Sequence, residues 1–184
     1  MEKNEKIRLR KCVNIANVKP KEKILDLGCG SDKPLKNFLG NGVNYTGIDK
    51  VFGDDLERGL PSHIQKIKFD IIFMDEFIEH IEHFKTLLMG CRDILSKKGR
   101  IIISTPSNNR ILYGDLFNGI GEDPTHIHCF RKTNMRNLAR ICNLKISKMT
   151  GTCIRFPPLL RRWTAISTNQ TIYTEAIIYR LEKE

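Results

Sequence analysis

The chain has 184 residues, of which 40% are hydrophobic and 28% charged, an ordinary globular balance. Its apolar runs are too short for a membrane span, and its charged N-terminus lacks the apolar core of a signal peptide, which points to a cytoplasmic protein. We therefore predict one cytoplasmic domain over residues 1–184, with reduced cysteines. The net charge of +10 favours an anionic partner, although a solvated basic surface explains it equally well.

In the N-terminal part of the chain, short apolar runs alternate with helix-like segments. The hydrophobic pattern predicts an amphipathic helix over 5–18, which Pro20 ends. A short buried strand follows over 23–28. A helical turn over 34–40 then leads to a second strand over 43–49.

The middle of the chain continues this alternation. A third apolar strand is predicted over 68–74. The next segment, 76–96, reads as a long helix because its apolar residues recur at three- and four-residue steps. Gly99 ends that region, and a strand over 100–105 is stopped by Pro106.

The C-terminal part holds one more helix and two strands. Residues 106–125 read as a long loop, after which Thr133 can cap a helix over 134–142. The last strands are predicted over 144–151 and 171–182. No helix-like segment lies between them, so they should be antiparallel. The helix predicted over 134–142 is expected to direct four residues toward the core: Met135, Leu138, Ile141 and Cys142.

Apolar strands that alternate with helices imply a parallel sheet covered on both faces. We predict an α/β fold with a doubly wound, Rossmann-like, mostly parallel sheet and an antiparallel last strand. Only 19 residues separate Asp49 from Phe69, too few for a full helix and strand. We therefore expect the sheet to be abbreviated at the edge where a third strand would follow the second.

The stretch "LDLGCG" at the end of the first strand predicts a nucleotide-binding turn. Gly28 and Gly30 permit a tight turn and close approach of a ligand, but Lys33 replaces the third glycine of a dinucleotide motif. Asp26 would repel a pyrophosphate and suits a cation or an ammonium group. Asp49 can accept both ribose hydroxyls of an adenosine. Together they predict an adenosine ligand with a positive, amine-bearing tail, and S-adenosylmethionine fits that description.

With these residues the chain resembles the class I S-adenosylmethionine-dependent methyltransferases, most closely their small-molecule branch of the type 11 kind. The resemblance covers roughly residues 20–150 and implies S-adenosylmethionine as the cofactor. The matching stretches are "ILDLGCG" (24–30), "YTGID" (45–49), "DDLERGLP" (54–61), "KFDIIFMDEFIEHI" (68–81), "GRIIISTPS" (99–107) and "DPTHIHCF" (123–130).

The resemblance also implies which residues hold the cofactor. The turn at the end of the first strand would line the methionine part, and Asp49 would bind the ribose. The pair Asp55–Leu56 would flank the adenine, and Met74 would end the strand beneath the cofactor. The full set of implied cofactor-binding residues is Asp26, Gly28, Cys29, Gly30, Asp49, Lys50, Asp55, Leu56 and Met74.

Two residues are candidates for catalysis. His126 follows a strand's carboxyl end, where the acceptor should arrive, and a neutral imidazole there could take a proton from a hydroxyl or amine. The alternative is a histidine that ties down the loop backbone. Asp75, with Glu76 beside it at the end of the 68–74 strand, is expected to orient a substrate hydroxyl or amine. The alternative for Glu76 is an acid that only begins the next helix. The loops 106–125 and 151–170 should select the acceptor, with "RFPPLLRRW" (155–163) as a lid.

The predicted reaction is methyl transfer from S-adenosylmethionine to an O or N acceptor on a small molecule. If the positive net charge of the chain serves to bind this molecule, the molecule should be anionic. One alternative is an RNA methyltransferase, and another is a non-catalytic S-adenosylmethionine-binding partner subunit. The histidine pairs His80/His83 and His126/His128 could build a metal site. Since "HIEH" matches no zinc-helix motif, we predict no metal.

Overall fold

The structure is a computed structural model, which describes residues 2–57, 59–106, 125–152 and 176–184. These residues contain a single six-stranded sheet. Its strands are β1 (Lys23–Leu27), β2 (Asn44–Ile48), β3 (Phe69–Asp75), β4 (Leu95–Pro106), β5 (Leu144–Gly151) and β6 (Ala176–Lys183). Their order across the sheet is β2-β1-β3-β4-β6-β5.

Helices cover the sheet and connect its strands. The α-helices of the described ranges are α1 (Lys3–Ala16), α2 (Ser62–Gln65), α3 (Phe84–Ile94) and α4 (Lys132–Ile141). Single 3₁₀ turns occupy Pro34–Phe38, Lys50–Phe52 and Ile78–His80. Among these helices, none combines the length and the apolar character that a bilayer span requires.

The sheet combines parallel and antiparallel pairing. Strand β1 runs parallel to both β2 and β3, and β3 runs parallel to β4. Strand β6 is antiparallel to β4 on one side and to β5 on the other. The predicted mostly parallel sheet with an antiparallel last strand is therefore confirmed. The insertion of β6 between β4 and β5 is a feature of the tertiary structure alone.

The sheet is short at the β2 edge, as expected from the sequence. Between Asp49 and Phe69 the chain forms only the 3₁₀ turn Lys50–Phe52 and the four-residue helix α2. In the part of the chain that the structure describes, no strand pairs with the outer side of β2. The connection is long enough to cross back to β3 but too short to add a helix and another strand.

Alternating side chains give the sheet two apolar faces. Ile24 and Phe73 point to the face that α1 covers, and Leu25 and Met74 point to the opposite face, which packs against α3 and α4. All four are fully buried. Because successive strand residues point to opposite faces, a sheet covered on both sides needs continuous apolar runs, as β1 and β3 have.

The predicted helix over 76–96 is wrong at both ends, since α3 spans only Phe84–Ile94. An uninterrupted helix would use the carbonyl of Glu79 to accept from the amide of residue 83. Instead, that carbonyl accepts from the amides of Ile127 and His128, each at 3.1 Å. Residues 95–99 join β4, because Leu95 pairs with Phe69 across the sheet.

Two details of the C-terminal helix are also corrected. Helix α4 begins at Lys132, so Thr133 lies inside its first turn, and no side chain caps it. Ile141 is 57% exposed, whereas Ala139 takes the predicted inward place. The predicted lid over 155–163, most of the loop 106–125 and the start of the last predicted strand lie outside the described residues.

Candidate active site

The carboxyl ends of β1, β2 and β3 open onto one cavity of about 630 Å³. Parallel strands bring these ends to the same edge of the sheet, where ligands bind in open α/β folds. The volume lies within the range of roughly 300–1,000 Å³ that is usual for small-molecule sites. The residues that line it are Gly28, Asp49, Lys50, Gly53, Asp54, Asp55, Leu56, Glu57, Glu76, Phe77, His80, Ile81 and Thr125.

The turn after β1 needs glycine for two separate reasons. Gly28 and Gly30 both have positive φ, +73° and +64°, a conformation that side chains disfavour. In addition, a Cβ atom on Gly28 would lie 2.2 Å from Cδ2 of Phe77, whereas one on Gly30 would meet no atom within 4 Å. The backbone of Gly28 therefore lines the cavity without a side chain.

Asp49 is held rigidly at the end of β2. Its Oδ2 accepts from the amide of Gly30 at 2.9 Å, and its Oδ1 accepts from the amide of Val51 at 3.0 Å. Because both bonds come from the backbone, the carboxylate is oriented before any ligand arrives. Its second lone pairs remain available to ligand hydroxyls, which the predicted ribose contact requires.

Eight of the nine predicted cofactor residues separate into two layers, and the half-buried Gly30 belongs to neither. Gly28, Asp49, Lys50, Asp55 and Leu56 line the cavity directly. The layer beneath them consists of the buried residues Asp26, Cys29 and Met74. Burial raises the pKa of the Cys29 thiol to about 11, so this cysteine is a packing residue and not a nucleophile.

Asp26 is a buried carboxyl group on β1, two residues before the turn at Gly28. It is 2% exposed, and Tyr45 Oη donates to its Oδ2 at 2.6 Å. Burial raises the pKa of Asp26 to about 7, against the opposing effect of the Tyr45 hydrogen bond. The carboxyl group is therefore poised to ionise near neutral pH, where a cationic ligand group would favour the charged form.

The raised pKa of Asp26 predicts a stability that depends on pH. The folded chain keeps this proton between about pH 4 and pH 7, whereas the unfolded chain releases it, so stability falls as pH rises through that window and then levels. The Asp26→Asn substitution removes this pH-dependent contribution to the free energy of unfolding, which urea denaturation measures. The unfolding free energy of the parent should drop by a few kcal/mol relative to the variant between pH 4 and pH 7; a constant difference would contradict the prediction.

Asp75 does not face the cavity, which corrects the expectation that it orients a substrate. Arg8 of α1 donates from Nε to Oδ1 and from Nη2 to Oδ2, both at 3.0 Å. Ser104 Oγ also donates to Oδ1, at 2.6 Å. Since both oxygens are engaged within the protein, Asp75 fastens helix α1 to the strand ends.

Glu76, the next residue, takes the place at the cavity that was expected of Asp75. Its φ is +48°, in the left-handed region, and its amide donates to the carbonyl and to Oγ of Ser104. Strand alternation reverses the direction of successive side chains, so the turn places Glu76 in the lining while Asp75 faces α1. Strain of this kind is often retained at functional sites.

His126 does not line the cavity itself, but its ring packs against that of His80, which does. The two ring centroids are 4.7 Å apart. Glu79, which the sequence did not single out as a site residue, completes a group whose ligand-type atoms lie within 4.8 Å of one another. His83 and His128 do not belong to this group: His83 is exposed, and the ring of His128 packs against Phe84.

Comparison with known proteins agrees with this geometry. Residues 5–148 match the family described as "Methyltransferase domain". The chain belongs to this family. A curated relative, the ubiquinone biosynthesis O-methyltransferase of Pseudomonas aeruginosa (strain UCBPP-PA14), is 24% identical over 170 residues, covering 77% of this chain and 72% of the relative. The resemblance to S-adenosylmethionine-dependent methyltransferases is therefore confirmed.

Solved structures share the fold of this methyltransferase. An S-adenosylmethionine-dependent methyltransferase from Clostridium acetobutylicum ATCC 824 superposes with a TM-score of 0.65 at 15% identity, covering 99% of this chain and 92% of the other. The small RNA methyltransferase HEN1 superposes with a TM-score of 0.69 at 16% identity, covering all of this chain but 26% of the other. At such identities the likeness shows the fold.

The cofactor of this methyltransferase is S-adenosylmethionine. The bare backbone at Gly28, where Phe77 leaves no room for a Cβ, and the preset carboxylate of Asp49 fit an adenosine ligand that approaches the turn closely. When bound, S-adenosylmethionine supplies a sulfonium methyl group, which a nucleophile takes as the carbon–sulfur bond breaks and its electron pair stays on sulfur.

Proposed function

We propose that this methyltransferase methylates a hydroxyl oxygen of a small molecule. The observation that carries the proposal is the meeting of the cofactor turn with Glu76, His80 and Thr125 around one cavity. The named activity of the curated relatives, O-methylation in ubiquinone biosynthesis, supports an oxygen acceptor. Methyl transfer needs an acceptor held in line and shielded from water, so no nucleophilic side chain is required.

Each part of the cavity has a role in this proposal. Asp49 and the Asp55–Leu56 segment hold the adenosine, and the turn at Gly28 holds the methionine part. Glu76 and His126 lie toward the acceptor, where a carboxylate and an imidazole can orient a hydroxyl and receive its proton. No disulfide joins the cysteines that the structure describes, which supports the cytoplasmic location that we propose.

The test is a transfer assay with isotopically labelled S-adenosylmethionine and a panel of phenols, catechols, carboxylic acids and amines. We expect one class of hydroxyl compound to gain a single methyl group, located on oxygen by NMR. Calorimetry should show S-adenosylhomocysteine binding to the same protein sample. Transfer to nitrogen alone, or no binding of S-adenosylhomocysteine, would overturn the proposal.

RNA is the second candidate acceptor, because the formal charge of +10 favours a polyanion. Filter binding across a salt series separates the two candidates. Phosphate contacts release counterions, so RNA binding should weaken steeply as salt rises. Methyl transfer to a small hydroxyl compound, with weak RNA binding at physiological salt, would favour the first candidate.

A further inference from the structure

Glu79, His80 and His126 form a cluster that two separate segments build. Glu79 and His80 belong to the 3₁₀ turn Ile78–His80, and His126 belongs to the segment that leads to α4. The amides of Ile127 and His128 bind the carbonyl of Glu79 and hold the segments together. Backbone hydrogen bonds therefore fix the distance between the two segments. The ligand-type atoms of the three side chains lie within 4.8 Å of one another.

The carboxylate of Glu79 is buried without a hydrogen-bond partner. Its side chain is 0% exposed, and within the described ranges neither Oε1 nor Oε2 accepts a hydrogen bond. Asp26, a carboxyl group of similar burial, accepts a hydrogen bond from Tyr45. Burial of an unpaired carboxylate is costly, and proteins normally provide a hydrogen bond, an opposite charge or a metal.

The charges around Glu79 favour a cation. Two further acidic side chains, Glu76 and Asp75, lie close enough to Glu79 to interact with it electrostatically. Arg8 is the nearby guanidinium, but it is already bonded to both oxygens of Asp75. An additional positive charge at the cluster would therefore be stabilised by carboxylates that Arg8 does not neutralise.

The orientation of His80 also suits a ligand role. Its Nδ1 lies 3.1 Å from the carbonyl oxygen of Thr125 and 2.9 Å from the hydroxyl of the same residue. In the tautomer with the proton on Nδ1, this nitrogen donates to Thr125. The lone pair is then on Nε2. Metal-binding histidines commonly donate their other ring proton to a carbonyl in this way.

We propose that Glu79, His80 and His126 bind one divalent transition-metal ion beside the cofactor cavity. Two imidazoles and a carboxylate suit Mn²⁺, Co²⁺ or Zn²⁺ better than the all-oxygen sets that Mg²⁺ and Ca²⁺ prefer. Three protein ligands leave coordination positions open. The proposal departs from the sequence-based prediction of no metal, and it uses one histidine from each predicted pair.

The role of the ion rests on the proposed function. His80 lines the same cavity as Gly28 and Asp49, so the ion lies where the acceptor hydroxyl would arrive. A hydroxyl bound to a divalent cation loses its proton more readily, and the proton passes to water. His126 would then act as a ligand that positions the ion, instead of receiving the acceptor's proton itself.

The test is a titration of the purified, chelator-treated protein with Co²⁺, followed by its visible absorption spectrum, and with Mn²⁺, followed by electron paramagnetic resonance. We expect one ion per chain and imidazole-ligated Co²⁺ bands. Glu79→Gln, His80→Asn and His126→Asn should each weaken binding at least about tenfold. His63→Asn and His83→Asn, which replace exposed histidines, are matched controls and should bind as the parent does.

Calorimetry with S-adenosylhomocysteine runs on the same samples and separates this proposal from the proposed function. Normal S-adenosylhomocysteine binding with no Co²⁺ or Mn²⁺ uptake would overturn the metal site and leave the methyltransferase function intact. Ion binding that the control variants weaken as much as the cluster variants would also overturn it, since such binding would be non-specific. Normal folding of the Glu79→Gln variant is checked by its cooperative thermal unfolding.

Discussion

Asp49→Ala is expected to weaken S-adenosylmethionine binding at least about a hundredfold. A hydrogen bond to a charged group contributes about 1.5–3 kcal/mol, and the two predicted ribose bonds would be lost together. Each loss of about 1.4 kcal/mol is a tenfold change in the dissociation constant. The variant also releases the amides of Gly30 and Val51, which loosens the turn that faces the methionine part. Isothermal calorimetry measures the change directly.

Two further variants make this result specific. Asp49→Asn keeps one oxygen as an acceptor, so its affinity should fall between those of the parent and Asp49→Ala. Asp93→Asn removes an aspartate whose side chain is 65% exposed, and it should leave binding unchanged. A folded Asp49→Ala protein that binds S-adenosylmethionine with the parent's affinity would refute the role given to this carboxylate.

Gly28→Ala is expected to abolish cofactor binding, and Gly30→Ala provides its internal control. Both substitutions place a side chain at positive φ, which costs about 1–2 kcal/mol. Only at Gly28 does the new methyl group also collide with Phe77, whose ring lines the cavity. Relief of that collision must push the ring into the ligand space or distort the turn, so Gly28→Ala should lose more stability and more affinity than Gly30→Ala.

The double variant Gly28→Ala/Phe77→Ala decides whether the collision is the cause. With the ring removed, part of the lost affinity for S-adenosylhomocysteine should return, although the cost of the positive φ stays. Thermal unfolding and calorimetry together follow the three variants. Equal losses for Gly28→Ala and Gly30→Ala would show that φ alone matters, and that the contact with Phe77 does not.

Local patterns predicted those elements in which local and tertiary preferences agree. The apolar runs of β1 and β3 are continuous because both faces of the sheet are covered, and this composition is visible in the sequence. The prediction failed over 76–83, where helical periodicity continues but the chain is not an α-helix. Hydrogen bonds from Ile127 and His128, nearly fifty residues away in sequence, compete for the Glu79 carbonyl.

The candidate site shows the same division. The cofactor side of the cavity could be predicted from the sequence, since Gly28 and Asp49 each follow a recognisable strand. The two residues meet because parallel strands end at the same edge of the sheet. The acceptor side could not be predicted in this way. Asp75 and Glu76 are adjacent, but only the backbone turn at Glu76 decides which of them faces the cavity. A signal for Glu79 was present as an acid beside His80, although its burial was not visible.

The sequence by itself therefore determined the mostly parallel sheet with its antiparallel last strand, its shortened edge and the glycine turn after β1. Short-range patterns and segment lengths specify all three. Only the tertiary structure decided that Arg8 engages Asp75 and that Glu79, His80 and His126 come together. These contacts join segments that are distant along the chain. Their formation depends on packing and long-range hydrogen bonds, which no local pattern of residues encodes.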